Sequence, residues 1–221
     1  MITLIEATEL TGTTHIWLWD TWPPSDCRRH DSMARREQPF TQAHAAADKL
    51  ATRRRLLAET FGGDGHDWNV SSDRRGRPLA ASAKQWPRVC LSAARTGNVE
   101  VFAASDGVEF GVDIETSDHP KDRLQFVASC FSRGEQRSLG HLLRRDVSVI
   151  EAWTMREAFG KGLGVGLDFP GDRWFDDAAG WRFDVSSPRP GLCLATATAP
   201  TARRIEVETK WIQPDTIETN R

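Results

Sequence analysis

Apolar and polar positions divide the chain into blocks of distinct periodicity. Ile16-Trp17-Leu18-Trp19 is an apolar run closed by Pro23-Pro24, and it predicts a short strand. Residues 25–59 are rich in Ala, Arg, Leu and Gln and favour helix, best over 43–60, with Phe61-Gly62-Gly63 as the stop. Residues 64–85 are polar, carry Gly and Pro, and read mainly as loop. Strand patterns follow at 88–92, 98–104 and 108–115. The last two are joined by Ser105-Asp106-Gly107, and Asp-Gly between strand-like runs predicts a hairpin. Helical patterns occupy 123–130, 134–145 and 147–161, and the glycines of 162–166 end the last of them. The tail alternates again, predicting strands at 181–185, 192–197 and 205–211. Helix followed by strands occurs twice. The expectation is an α+β protein of two similar halves, residues 1–106 and 107–221.

Composition narrows the class. The 221 residues are 39% hydrophobic and 27% charged, with a formal net charge of −2, which excludes a wholly disordered chain and a wholly basic nucleic-acid binder. Charge is uneven, however. Residues 28–95 hold 14 Lys plus Arg against 7 Asp plus Glu, so the remainder is acidic. That is either an ordinary solvated surface or a site for a phosphorylated ligand beside a metal. Four cysteines stand far apart with no C-x-x-C pair, which argues against a zinc site or a disulfide framework and for a reducing compartment. Residues 1–22 lack the basic and apolar regions of a secretory signal, and no run reaches the ~20 apolar residues of a membrane span. A cytoplasmic protein without membrane or nucleic-acid partners is expected.

Two motifs carry the chemistry. In Gly111-Val112-Asp113-Ile114-Glu115, strand periodicity puts Asp113 and Glu115 on one face and Val112 and Ile114 on the other. Two carboxylates on one face repel unless a cation lies between them. In Trp153-Thr154-Met155-Arg156-Glu157-Ala158-Phe159-Gly160-Lys161, helical spacing aligns Trp153, Glu157 and Lys161 in one stripe. Alone, the first reads equally as an acidic strand edge, and the second as a core aromatic beside an i,i+4 Glu–Lys pair. No G-x-x-x-x-G-K-[ST] loop, no G-x-G-x-x-G opening a helix after a strand and no G-x-S-x-G elbow is present.

Taken together, the strand D-x-E, about forty residues of mainly helical pattern and then the segment Trp153 to Leu167 resemble the 4′-phosphopantetheinyl transferases. The length and the two halves resemble the pseudo-dimeric, Sfp-type branch. Phe131-Ser132-Arg133-Gly134-Glu135 is similar to the family's F-S-x-x-E, and Gly76-Arg77-Pro78 to its G-(K/R)-P. The resemblance implies a holo-[acyl-carrier-protein] synthase activity. The phosphopantetheine of coenzyme A would move to a serine of an apo acyl or peptidyl carrier protein, releasing 3′,5′-adenosine bisphosphate. It implies a monomer with its site in the cleft between the halves. It further implies Mg²⁺, or Mn²⁺, on Asp113, Glu115 and Glu157. Oxygen ligands together with substrate phosphates suit such a cation. Glu157 would help deprotonate the serine, and Lys161 would offset developing charge and bind coenzyme A. Arg77 falls at the position that contacts the 3′-phosphate of coenzyme A. Lys49 and Arg53 either approach that phosphate or form a solvated helix face.

This sequence departs from the family at two places. Before its central hairpin the family has Ser-His-(Ser/Thr), whereas here Arg95-Thr96 occupies that position, so a pH-dependent phosphate contact becomes a permanent one. Arg156 stands where Lys is the rule, which keeps the charge but exchanges a point donor for a planar fork.

Overall fold

The computed structural model describes residues 11–20, 38–82, 84, 88–117, 123–143, 147–166, 178–200 and 204–212. The expected helix before residue 38 and the turn at Pro23-Pro24 lie outside them. The architecture of the described residues is α+β: a four-stranded and a three-stranded sheet packed face to face with helices on their outer faces, and a separate two-stranded sheet.

The first sheet has the order β4-β5-β1-β9, built from β4 (Val89–Thr96), β5 (Val99–Asp106), β1 (Thr11–Asp20) and β9 (Arg204–Trp211). Alternation along β1 serves both faces. Ile16 and Leu18 enter the core between the sheets, while Trp17 and Trp19 face outward. The long helix α1 (Gln38–Phe61) covers that outer face with Leu50, Leu56, Leu57 and Phe61, and Gly62 and Gly63, both at positive φ, end it as the sequence predicts.

The polar stretch read as loop instead contains a hairpin, β2 (Trp68–Ser72) with β3 (Pro78–Ser82). The outward residues of β2 are polar and those of β3, Leu79 and Ala81, are exposed apolar ones, so no clean alternation marks the hairpin, and only Trp68 and Val70, packed with the α1 cluster, betray it. A second correction concerns Asp106-Gly107. The segments on either side of it do not pair: β5 pairs with β1 and β4, and β6 (Phe110–Thr116) pairs with β8. The hairpin turn is at Gly97-Asn98. Gly107, at φ 66°, is the corner where the chain leaves the first sheet, with its N–H on the Arg88 carbonyl at 2.6 Å. The turn signal was real, but it marks a crossover.

The second sheet, order β6-β8-β7, is antiparallel and adds β8 (Leu192–Thr198) and β7 (Arg182–Ser186). Phe110, Val112 and Ile114 of β6 meet the first sheet, and the Ser92 hydroxyl accepts the Val112 N–H at 3.0 Å. The opposite face lies under α4 (Val149–Leu163), whose Ala158 and Phe159 pack on Ala195 and Ala197. Two shorter helices, α2 (Arg123–Cys130) and α3 (Arg133–Leu143), precede it. The strand β9 follows the second sheet in sequence but lies parallel to β1 in the first, so the two sheets do not divide at one point of the chain. No helix among the described residues is long and apolar enough to cross a membrane.

Candidate active site

Contact between β6 and α4 begins with a glycine. A Cβ on Gly111 would overlap the Ala158 carbonyl oxygen and the Gly162 nitrogen, so the helix lies directly on the strand backbone. Ser148 starts the helix with a capping box to Glu151, and Gly164 ends it at φ 73°. The glycine that opens the G-V-D-I-E motif is therefore a packing requirement.

That contact sets two rows of side chains against each other. Asp113 and Glu115 turn toward α4, while Val112 and Ile114 are buried between the sheets, as strand parity predicts. Lys161 Nζ lies 2.6 Å from Asp113 Oδ1. The Trp153 indole N–H donates to Glu115 Oε1 at 3.1 Å, and the Thr96 hydroxyl reaches Glu115 Oε2 at a long 3.4 Å. Arg156 donates to Glu157 Oε1 at 3.1 Å. The i,i+4 pair between Glu157 and Lys161 does not form; each side chain takes a different partner. Asp113, only 5% exposed, is not a solvent-facing strand edge.

A pattern follows from these bonds. The helix supplies one donor to each of three carboxylates, and each keeps an oxygen that is free or weakly held. Asp113 Oδ2 is buried with no hydrogen-bond partner. Glu157 Oε2 takes no hydrogen bond from the described residues. Burial pushes the Asp113 carboxyl up to about 7, against the pull of Lys161, and Glu115 and Glu157 add to the rise. Burial also raises Glu157, opposed by Arg156 and Lys161.

The folded chain thus holds the Asp113 proton more tightly than an unfolded chain, whose carboxyl titrates near 3.8. This contribution to stability is complete below that value and is lost as pH rises through about 7. Urea unfolding in EDTA is expected to show Asp113→Asn gaining on wild type between about pH 4 and pH 7, by a few kcal/mol. The difference should be level above that range. A difference independent of pH would show that burial does not disfavour this carboxylate.

The basic residues divide into two groups. Lys49 Nζ and Arg53 Nη2 each lie 2.7 Å from a different oxygen of Glu100, which is buried on β5. Arg53 also lies over the Phe102 ring. These two are therefore neither a plain solvated face nor unengaged cations; they neutralise a buried carboxylate that sequence reading overlooked. Arg95, directly opposite Glu100 in the strand pairing, is exposed on the same face. Arg77 lies elsewhere. It packs against Gly164 just past Lys161, and the neighbouring Arg75 donates to the Gly164 carbonyl at 3.3 Å. The β2–β3 turn thus reaches the end of α4.

Sequence reading also gave no role to Glu135. With Ser132 it forms a capping box, and this S-x-x-E spacing was the available signal. Its other oxygen accepts Arg156 Nε at 2.7 Å.

Whether a divalent cation suits this site can be judged from the donors. Among the described residues no three His, Cys, Asp or Glu side chains stand close enough to hold a metal ion unaided. Mg²⁺ does not require such a cage, since one or two carboxylates with substrate phosphates and water suffice. Asp113 Oδ2, an orphaned buried oxygen among mutually repelling carboxylates, fits that demand.

Comparison with known proteins agrees with the motifs. Residues 109–207, from just before β6 into β9, match the model of the 4′-phosphopantetheinyl transferase superfamily. A curated mouse protein, L-aminoadipate-semialdehyde dehydrogenase-phosphopantetheinyl transferase, is 24% identical, covering 70% of this chain. The alignment covers 54% of that relative, so the chain spans about half its length.

Proposed function

We propose that this protein transfers the 4′-phosphopantetheine group of coenzyme A to a serine of an apo acyl or peptidyl carrier protein, with Mg²⁺ and with release of 3′,5′-adenosine bisphosphate. The observation that carries this reading is the carboxylate row of Asp113, Glu115 and Glu157, each held by a donor from one helix and each retaining an oxygen. In this reading the protein is a cytoplasmic monomer of the pseudo-dimeric branch. Residues 1–106 would serve the nucleotide of coenzyme A, and 107–221 the metal and the chemistry.

Asp113, Glu115 and Glu157 would hold the cation, which when bound would polarise the pyrophosphate and offset charge gathering there. Glu157 Oε2, which takes no hydrogen bond from the described residues while Arg156 holds Oε1, would face the cation with one lone pair and take the serine proton, directly or through a water, with the other. The serine oxygen bonds to the β-phosphorus as its bond toward the adenosine bisphosphate breaks. Lys161 contributes a cation to the developing charge and to coenzyme A binding. Arg77 and Arg75, at the far end of α4, lie in reach of the same region and suit a phosphate. Arg95, Thr96, Lys49 and Arg53 complete the coenzyme side, the last two after release from Glu100 or through the net positive charge they leave beside it.

Mass spectrometry tests the proposal. A panel of apo carrier proteins is incubated with this protein, coenzyme A and Mg²⁺, with and without EDTA. A phosphopantetheine mass gain that EDTA abolishes is the expected result. Binding of coenzyme A by calorimetry with no gain on any carrier would identify a non-catalytic binding protein instead.

A further inference from the structure

We infer that Arg156 is a positioning residue, whose guanidinium ties the buried Glu135 of α3 to Glu157 and so decides which oxygen of Glu157 is left for the reaction. The inference rests on the reading of Glu157 given above and adds to it Glu135 and the tie that Arg156 makes between the two carboxylates. Arg156 Nε donates to Glu135 Oε1 at 2.7 Å, and Nη1 donates to Glu157 Oε1 at 3.1 Å. Glu135 Oε2 accepts the Ser132 N–H at 2.7 Å, so its carboxylate is engaged on both oxygens. The guanidinium also lies 5.5 Å from the centre of the Trp153 ring, whose N–H holds Glu115.

Glu135 is 1% exposed and Arg156 9%, so the pair is nearly closed to water and is no surface salt bridge. With Nε fixed by Glu135 and Cζ lying over the Trp153 ring, the guanidinium has little freedom to follow Glu157; Glu157 must orient to it. A guanidinium presents N–H groups on separate nitrogens in a fixed plane, here Nε to one carboxylate and Nη1 to the other, whereas an ammonium must reach both from one nitrogen. The substitution that departs from the family is thus integrated with the site from both sides.

Arg156→Gln alone would leave the Glu135 carboxylate buried without its cation and is expected to disturb the fold. The test therefore compares wild type with Arg156→Lys and with the double variant Arg156→Gln/Glu135→Gln, which removes both charges. Thermal unfolding, turnover on an apo carrier protein, and Mn²⁺ uptake by electron paramagnetic resonance are measured, the last with coenzyme A present and against a coenzyme A blank. The double variant is expected to unfold cooperatively, bind Mn²⁺ about 10–100-fold more weakly, and lose kcat with the KM for coenzyme A unchanged. Arg156→Lys should fall between the two. A folded double variant with wild-type Mn²⁺ affinity and kcat overturns the inference alone. So does an Arg156→Lys variant equal to wild type in both, should the double variant not fold. A wild type that takes up no Mn²⁺ above the blank overturns the metal reading of Glu157, and this inference with it.

Discussion

Asp113→Ala is expected to abolish carrier modification, by about 10³-fold or more, while the protein remains folded. The two halves of that expectation come from the same atom. Asp113 Oδ2 is buried without a partner, and burial disfavours its ionised form, so the carboxylate is poorly justified as a stabilising group. Its ion pair with Lys161 is a partial offset, and Lys161 is exposed enough to be solvated once the partner is gone. Removing the buried charge is favourable and the cavity left by the shorter side chain is not, so the unfolding midpoint should stay near wild type while the oxygen donor around which the proposed chemistry is arranged is lost. Turnover by mass spectrometry together with urea unfolding checks both. A folded variant with near-wild-type turnover would overturn the assignment of Asp113.

Gly111→Ala is expected to have the opposite profile, with the fold itself failing. The added methyl would overlap the Ala158 carbonyl oxygen and the Gly162 nitrogen, both backbone atoms of α4 that cannot rotate away. Strand and helix must separate, which parts Ala158 and Phe159 from Ala195 and Ala197. A loss of about 3 kcal/mol or more is expected, at the upper end for overpacking. Any fraction that folds should also lose activity, because separation moves Lys161 from Asp113 and Trp153 from Glu115. Denaturant unfolding with a parallel Gly164→Ala control separates this from general glycine effects. At Gly164 the strain lies in a positive φ at the helix cap, and the atom met is the movable end of Arg77.

Both predictions concern motifs that are visible along the chain, and that is where sequence reading was strongest. Strand parity alone placed Asp113 and Glu115 on one face and Val112 and Ile114 in the core, because a strand repeats every two residues. Helical spacing likewise put Trp153, Glu157 and Lys161 on one stripe, and the outer helices and tail strands followed from their own periodicities. These are local properties, fixed by backbone geometry and by which side chains water rejects.

Partnership is not local, and only the tertiary structure decided it. The i,i+4 rule pairs Glu157 with Lys161, yet Glu157, itself buried, is held by Arg156, and Lys161 goes to Asp113 across the interface. Lys49 and Arg53 look like a basic helix face until β5 brings Glu100 beneath them. The Asp106-Gly107 turn has the local chemistry of a hairpin, but strand pairing depends on which edges meet, and β6 finds β8 some eighty residues on. The hairpin β2–β3 is held where its Trp68, Val70 and Ala80 join the apolar residues of α1, a cluster that no local pattern reveals. The sequence by itself determined the α+β class and the faces of β6 and α4, and it named the residues proposed to carry the chemistry. The tertiary structure decided which oxygen of each carboxylate is held and which is left: Glu115 and Asp113 take donors 38 and 48 residues away, and Glu157 takes its neighbour Arg156, itself held by Glu135 from 21 residues away.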